Sequence, residues 1–504
     1  MSLRKIAKYE TLALFAIVSI IVYIIVRGTL LFFAEYNSIE KVMAIILICG
    51  ELFVIIHGLG YTLNILRILK NPSNPETQTS LLKEEPTVAV LVAARNEPRE
   101  VLEETFITLN NLNYRNKIIY FLDDSSDEKF RQEADRLSRE YNLTIFRRSQ
   151  RRGAKAGIIN DCLKTLTQEY VAVFDADQNP IPEFLNAVMP LLENNKNLGF
   201  VQTPQFYTNI EKGRVARAAA LQQAVFYEYI CEGKSEGGSM FCCGTNVIFR
   251  RKALLDVGGL DESTVTEDFA TSVKLHAKGW KSLYFNHVYA FGMGPEDLAS
   301  YFKQQFRWAV GTISVFKQVI WKFLTKPNSL KPLQWWEYFL SSSYYLVGIA
   351  YLIMIICPVI YLLFRIPSFF ASPEIYFLAF LPYIIFSTGV FYVVLRGRQY
   401  KMKDLFLGQL LGEITIPVYI QAAISAILGS KITFGVTGKN NAKAISCLRL
   451  WPQFTLVFLC FIAVIWGLNR FIYEREAAIL VNSFWTMYHC IILSSVFYFN
   501  QEAG

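Results

Sequence analysis

The sequence predicts an α/β domain inserted between two blocks of transmembrane helices. Three observations predict it: a polar middle flanked by apolar blocks, short β-branched runs recurring through that middle, and basic residues gathered beside the apolar runs. Of 504 residues, 53% are hydrophobic and only 18% charged, against roughly 25% charged in an average soluble domain. The formal charge of +8 does not point to nucleic acid. The basic residues lie next to apolar spans, where an anionic leaflet accounts for them. Nine scattered cysteines without CxxC or Cys/His zinc spacing point to reduced thiols rather than a disulfide framework.

A run of roughly 20 apolar residues meets the demand of the hydrocarbon core. Six such runs occur, at 12–33, 42–69, 339–364, 375–395, 454–468 and 478–499. The first contains Arg27, and the second contains Glu51 and His57. The first run is too long for a cleaved signal peptide and lacks a small-residue cleavage site. Residues 1–70 therefore form two spans, 71–335 a polar domain, and 336–504 a region of about four spans. Arg4, Lys5 and Lys8 precede the first span, and Arg396, Arg398, Lys401, Lys403, Lys431, Lys439, Lys443 and Arg449 lie between the fourth and fifth. Positive charge marks both segments as cytosolic, and the polar domain falls on the same side of a multi-pass plasma-membrane protein. Two semi-apolar stretches stand apart. Residues 299–320 read as a helix in the membrane interface, while 405–428 fit an interface helix or a further span equally well.

Inside the polar domain, TVAVLVAA (87–94), KIIYFLDD (117–124), LTIFRR (143–148) and YVAVFDAD (170–177) are short apolar runs. Helix-like stretches separate the earlier ones, as in βαβ units whose sheet is buried on both faces. Several runs end in acidic or polar residues, and open α/β sheets bind ligands outside the carboxyl ends of their strands.

Four segments carry candidate chemistry. FDADQNP gives Asp175-x-Asp177 after a strand, a pair suited to a divalent cation whose other ligands are diphosphate oxygens. FLDDSSD places Asp123 and Asp124 at another strand end, fit for nucleoside recognition or for a polar turn. VTEDFATSVKL sets Glu267 and Asp268 in the first turn of a helix capped by Thr264 or Thr266. Capping alone accounts for acids there, and a general base is the chemical alternative. KQQFRWAVG supplies Gln304, Gln305, Arg307 and Trp308 on a helix near the membrane. Arg pairs with phosphate in a bidentate manner, and an indole face receives a sugar ring. A snorkelling Arg and a belt Trp fit the same residues.

Taken in order, these segments resemble the D, DxD, TED and Q(Q/R)xRW series of processive, membrane-integrated family-2 glycosyltransferases, those of the bacterial cellulose synthase type in particular. ARNEP, RGAKAGIIN and FCCGTNVIFRR extend the similarity over residues 86–317, and it resumes in ITFGVTGK, which is similar to an FxVTxK gating loop. The resemblance implies a GT-A type, Rossmann-like mixed sheet and transfer from a UDP-sugar with Mg2+ or Mn2+ held by Asp175 and Asp177. It implies Asp268 as base beside Glu267 and Thr266. Donor binding would involve Arg95, Glu97, Asp123, Asp124, Lys155, Asp175, Asp177, Gln304, Gln305, Arg307 and Trp308. Trp308, Cys243, Gly244 and Thr245 would face the acceptor and channel, with Phe434, Val436, Thr437 and Lys439 in a gating loop near 430–443.

The sequence also departs from the pattern. Only two spans precede the catalytic region, and about five residues follow the last span, so a PilZ domain and cyclic-di-GMP control are not carried over. Arg147-x-x-x-Arg151 is similar to a nucleotide-binding RxxxR but lies inside the catalytic region, where coincidence explains it. The expected activity is polymerisation of glucose from UDP-glucose into an exported β-glucan, its linkage open. UDP-N-acetylglucosamine as donor is the alternative, and a non-catalytic transporter or receptor is the reading from another class. The partners implied are the UDP-sugar, the nascent polysaccharide and the lipid bilayer, with no nucleic acid. Accessory or regulatory proteins are not identifiable from these residues.

Overall fold

The computed structural model describes residues 3–70, 82, 84–369, 371–396, 398, 400–429 and 444–500. Helices α1 (Leu3–Phe33) and α2 (Ser38–Lys70) come first. The α/β region opens with β1 (Val88–Ala94), α3 (Arg99–Asn110), β2 (Lys117–Asp123), α4 (Glu128–Glu140) and β3 (Thr144–Phe146). It continues through α5 (Ala154–Leu163), β4 (Tyr170–Asp175), β5 (Gln178–Pro180), α6 (Phe184–Asn194), β6 (Leu198–Gln202) and β7 (Phe206–Tyr207). Helix α7 (Arg214–Val225) runs through a π-helical turn (Phe226–Cys231) into α8 (Glu232–Glu236). Then follow β8 (Val247–Arg250), α9 (Arg251–Asp256), α10 (Glu267–Ala277), β9 (Lys281–Tyr284) and β10 (Ala290–Gly292). The long α11 (Leu298–Thr325) leads to α12 (Pro332–Ser343), α13 (Val347–Phe364) and α14 (Pro373–Arg396). The last elements are α15 (Met402–Glu413), α16 (Ile416–Ile427), α17 (Trp451–Glu474), α18 (Ala477–Leu493) and α19 (Val496–Phe499).

A seven-stranded sheet has the order β3-β2-β1-β4-β8-β6-β9, with β5, β10 and β7 forming a smaller one. Strands β1 to β4 pair in parallel, whereas β8 runs antiparallel to both β4 and β6. The sheet is mixed as the resemblance implies. Strand β1 shows why it is buried on both faces: Val88, Val90 and Val92 enter one core with Phe106, Leu137 and Phe184. Ala89 and Leu91 enter the other with Ile158, Leu254 and Leu275. Strand order reverses between β1 and β4, which opens a crevice at their carboxyl ends.

Among the described residues six helical stretches are long and apolar enough to cross a membrane: Ile6–Phe33, Ser38–Lys70, Pro332–Phe364, Glu374–Leu395, Cys447–Glu474 and Ala477–Phe499. They overlap the six runs read from sequence. Residues 402–427 form neither a straight span nor one interface helix. Helices α15 and α16 meet at a 44° bend, a broken span or a re-entrant turn. Within the bundle Arg27 Nε donates to Glu51 Oε2 at 2.7 Å, which removes an isolated charge from the apolar layer. His57 meets the Leu340 carbonyl and the Ser343 hydroxyl, each at 3.2 Å.

One tie between the α/β region and these helices is a buried carboxylate. Glu337 of α12 receives Lys234 Nζ of α8 at 2.6 Å and also pairs with Arg67 of α2. Glu337 and Lys234 are 1% and 3% exposed, so losing the carboxylate would strand two cations. Glu337→Gln is expected to cost about 3–5 kcal/mol, read as a lowered thermal transition in detergent. Adding Lys234→Met should recover part of the loss, and an unchanged transition in the single variant would refute the tie.

Candidate functional site

The parallel register places Asp123 of β2 opposite Ala94 and Asp175 of β4 opposite Ala93, so both acids reach the same sheet edge. Arg95 and Glu97 follow β1 in the loop between them. Asp123 is buried and accepts from Arg147 Nε at 2.7 Å. Asp124 accepts two bonds from Arg148, at 2.9 and 2.8 Å, and one from Arg151 Nε at 3.1 Å. Arg148 also donates to the carbonyls of Arg152 and Ala154. It thereby fastens the loop that enters α5 to the end of β2. The Arg147-x-x-x-Arg151 spacing is thus used to pair the two acids of the first motif. Arg95 lies within electrostatic reach of Arg151 and Asp124, and its Nε is buried without a hydrogen-bond partner among the described residues.

Lys155, the second residue of α5, is the centre of the site. Its Nζ donates to Asp175 Oδ1 at 2.5 Å and to the Gly244 carbonyl at 2.7 Å. Burial opposes the ammonium charge, but Asp175, Glu267 and Asp268 outweigh it and hold Lys155 above its ordinary range. Gly244 has φ +84°, and a Cβ there would stand 3.0 Å from Asp268 Oδ2. The Gly244 backbone therefore touches the lysine on one side and lies against the carboxylate on the other. Thr245 is fully buried, and its hydroxyl accepts the Asp175 peptide N–H at 2.9 Å. It supports the strand end rather than facing an acceptor.

Glu267 and Asp268 open α10. Thr266 occupies the capping position but makes no side-chain cap bond; Asp268 Oδ1 accepts the Phe269 N–H at 2.8 Å instead. Burial pushes Asp268 up to about 6, with the Phe269 bond and Lys155 pulling it back. Glu267 is also raised, by burial and then by the neighbouring Asp268 charge. A carboxylate in this range is suited to taking a proton near neutral pH. Gly311 of α11 packs on Thr266, where a Cβ would come 2.6 Å from the threonine methyl.

Helix α11 carries Gln304, Arg307 and Trp308 at i, i+3 and i+4, one face of a helix. Tyr207 joins that face to the strand end: its hydroxyl bonds Gln304, it accepts from Gln223 Nε2 at 2.6 Å, and the charges of Asp177 and Arg307 act on it. Gln305, one residue on from Gln304, is turned away. It is buried, and its Oε1 accepts from Tyr419 of α16 at 3.1 Å. Cys243 donates its N–H to Gln202 Oε1 at 2.8 Å and packs beside Tyr227, Cys231 and Tyr284. Trp335 is buried, with its indole N–H on the Pro327 carbonyl at 2.7 Å. Phe434, Val436, Thr437 and Lys439 lie outside the described residues.

Arg148, Gln202 and Tyr207 were not legible as site residues. Gln202 is fully buried and bonds the Thr245 carbonyl at 2.7 Å. Only its position at the end of an apolar run, in GFVQ, marks it in the sequence. Among the described residues no group of three or more His, Cys, Asp or Glu side chains is arranged to hold a metal alone. Asp175 is 41% exposed and sits two residues from Asp177, so the pair suits a cation completed by oxygens of a bound diphosphate.

Residues 86–311 match glycosyltransferase-like family 2, and residues 255–495 match cellulose synthase. The chain carries a glycosyltransferase-like family 2 domain and a cellulose synthase domain, and the two matches overlap at 255–311. The chain is 26% identical over 436 residues to a UDP-forming cellulose synthase catalytic subunit of Pseudomonas fluorescens, covering 84% of this chain and 57% of that relative. A UDP-forming cellulose synthase catalytic subunit from Dictyostelium discoideum is 34% identical over 257 residues, covering 49% of this chain and 23% of that relative. The chain therefore spans little more than half the length of the bacterial relative. A mannosyltransferase of Pyrobaculum calidifontis, solved with GDP-mannose and Mn2+, shares the fold with a TM-score of 0.52. It is 17% identical, covering 77% of this chain and 100% of that one.

Gly244 makes the first test of this site. An alanine at a positive φ costs about 1–3 kcal/mol, and here its Cβ also meets Asp268. Gly244→Ala is expected to destabilise the fold by about that amount, read as a lowered thermal transition in detergent. An unchanged transition would show that the close approach is dispensable.

Proposed function

We propose that the chain transfers glucose from UDP-glucose processively into a β-glucan by an inverting reaction, and that the product passes through its membrane helices across the plasma membrane. The observation that carries this reading is the bridge made by Lys155, which joins the Asp175 strand end to the loop lying against Asp268. The P. fluorescens relative is named as UDP-forming, which favours a UDP-sugar here.

Asp268 acts as general base on the acceptor hydroxyl of the glucan's non-reducing end, which attacks the anomeric carbon from the face opposite UDP. Displacement in one step inverts the α-linked donor to a β-bond and needs no covalent sugar–enzyme intermediate. Lys155 and Arg307 balance the charge gathering on the departing diphosphate. Asp175 and Asp177 would hold Mg2+ or Mn2+ with the diphosphate oxygens, and the metal supplies further stabilisation of that charge. Trp308, on the Arg307 face of α11, offers a surface for the terminal sugar ring. The α/β region would then be cytosolic, where the nucleotide-sugar is made, and the bent α15–α16 pair and the following helices would take part in export.

Asp268→Asn is expected to slow polymer formation from radiolabelled UDP-glucose by about 10²–10⁴-fold. Retention of full activity would remove it as the base. The base works deprotonated and its pKa in the unliganded protein is raised to about 6, so kcat/KM is full above that value and falls as pH drops through it. An acid limb in the ordinary Asp range, about 4, would contradict the assignment. Chelation of divalent cations should abolish polymer, with Mg2+ or Mn2+ restoring it, and persistence in chelator would refute the metal role. Incorporation of UDP-N-acetylglucosamine in place of UDP-glucose would replace the donor. Linkage-specific glycosidases then distinguish β-1,4 from β-1,3 product.

A further inference from the structure

Helix α11 continues well past the residues assigned above. Its last turns, from Lys317 to Thr325, pack on α10 through Val319 and reach the hairpin into α12, where a candidate span begins at Pro332. On one face Ile320, Trp321 and Leu324 are exposed, the last two at 70% each. The spacing i, i+1 and i+4 keeps them together, and Leu333 extends the surface across the hairpin. Beside it stand three lysines. Lys274 of α10 is paired with Asp261 at 2.6 Å. The charges acting on Lys322 are those of Lys326 and Lys274, with no carboxylate of the described residues among them. Burial, then these like charges, lowers the Lys322 pKa. Asp261, the carboxylate at this corner, is engaged by Lys274.

An exposed Trp and Leu next to this lysine cluster, at the point where the chain enters a span, match the two halves of a phospholipid: an acyl boundary and an anionic headgroup. We propose that Lys322 and Lys326, with Trp321 and Leu324, form a binding surface for anionic phospholipid in the leaflet facing the α/β region. The occupant is a lipid rather than a free anion because the apolar residues lie on the same element and run directly into the Pro332–Phe364 span. The consequence reaches the site, since Arg307 and Trp308 lie on the same continuous helix. Lys317 also donates to the Ala426 carbonyl at 2.6 Å and so couples that helix to the end of α16. Lipid capture stands independently of the catalytic roles given to Arg307 and Trp308, while its effect on turnover rests on them.

The test uses the full chain in nanodiscs carrying photoreactive phosphatidylglycerol or photoreactive phosphatidylcholine, with crosslinks mapped by mass spectrometry. Phosphatidylglycerol is expected to label residues 318–333 in preference to phosphatidylcholine. Lys322→Gln with Lys326→Gln should erase the preference, by about fivefold per lysine, while Lys322→Arg with Lys326→Arg keeps it. UDP release should rise with phosphatidylglycerol content in the parent chain and become insensitive to it in the double Gln variant. Equal labelling by both lipids, or a preference that survives the double Gln substitution, would overturn the proposal. Loss of the preference when inorganic phosphate is added would overturn it equally, by showing a free-anion site. Preferential labelling together with absent UDP release from any donor would retain the lipid surface and reject the catalytic reading instead.

Discussion

The site is organised around one buried ammonium group. Asp175, Glu267 and Asp268 all act on Lys155, and three carboxylates gathered in a partly buried crevice repel one another without a cation among them. The lysine makes their proximity tolerable. It also fixes geometry, because one proton goes to Asp175 and another to the Gly244 carbonyl. Strand β4, helix α5 and the loop before β8 thereby share a single point of attachment. Only a glycine at 244 lets the backbone come this close to Asp268 at a positive φ.

Helix α11 gives that crevice its direction. It leaves the α/β region with Gln304, Arg307 and Trp308 on one face and Gln305 against α16 on the other. Tight contact through Gly311 seats it on Thr266 at the head of α10. The same rod therefore touches the carboxylate pair, the bent α15–α16 pair and the hairpin into α12.

Much of this was legible in the sequence for identifiable reasons. The β-branched run TVAVLVAA marked β1 as a strand buried on both faces, and the acids ending KIIYFLDD and YVAVFDAD marked the open edge. The six apolar runs were readable because the hydrocarbon core imposes a length. What escaped depends on tertiary contact. Arg148 is one of four arginines in RRSQRR, and nothing local distinguishes the one that clamps Asp124. Gln202 looks like any polar strand end until the loop at Cys243 closes over it. The bend between α15 and α16 has no Gly or Pro at the break itself, since Ile414 and Thr415 occupy it. Gln305 is the instructive case: helical geometry alone separates it by about 100° from Gln304, so a motif read as a string grouped residues that a helix divides.

The first motif gains a sharper meaning from its arginines. Asp123 is paired with Arg147, while Asp124 is paired with Arg148 and Arg151. Their charge is thus compensated before any nucleotide arrives. Under the proposed reaction a diphosphate approaching the edge would meet neutralised acids, with Arg95 and Arg151 near Asp124, instead of bare carboxylates that would repel it. Asp124 also acts at a distance, because the arginine it holds bonds the Arg152 and Ala154 carbonyls at the entrance to α5, one residue from Lys155. Removing Asp124 would free the arginines and loosen the helix start that presents the central lysine. Charge balance at the donor edge and the positioning of Lys155 are therefore two effects of one salt bridge, and the donor edge and the base side of the crevice are mechanically continuous through it.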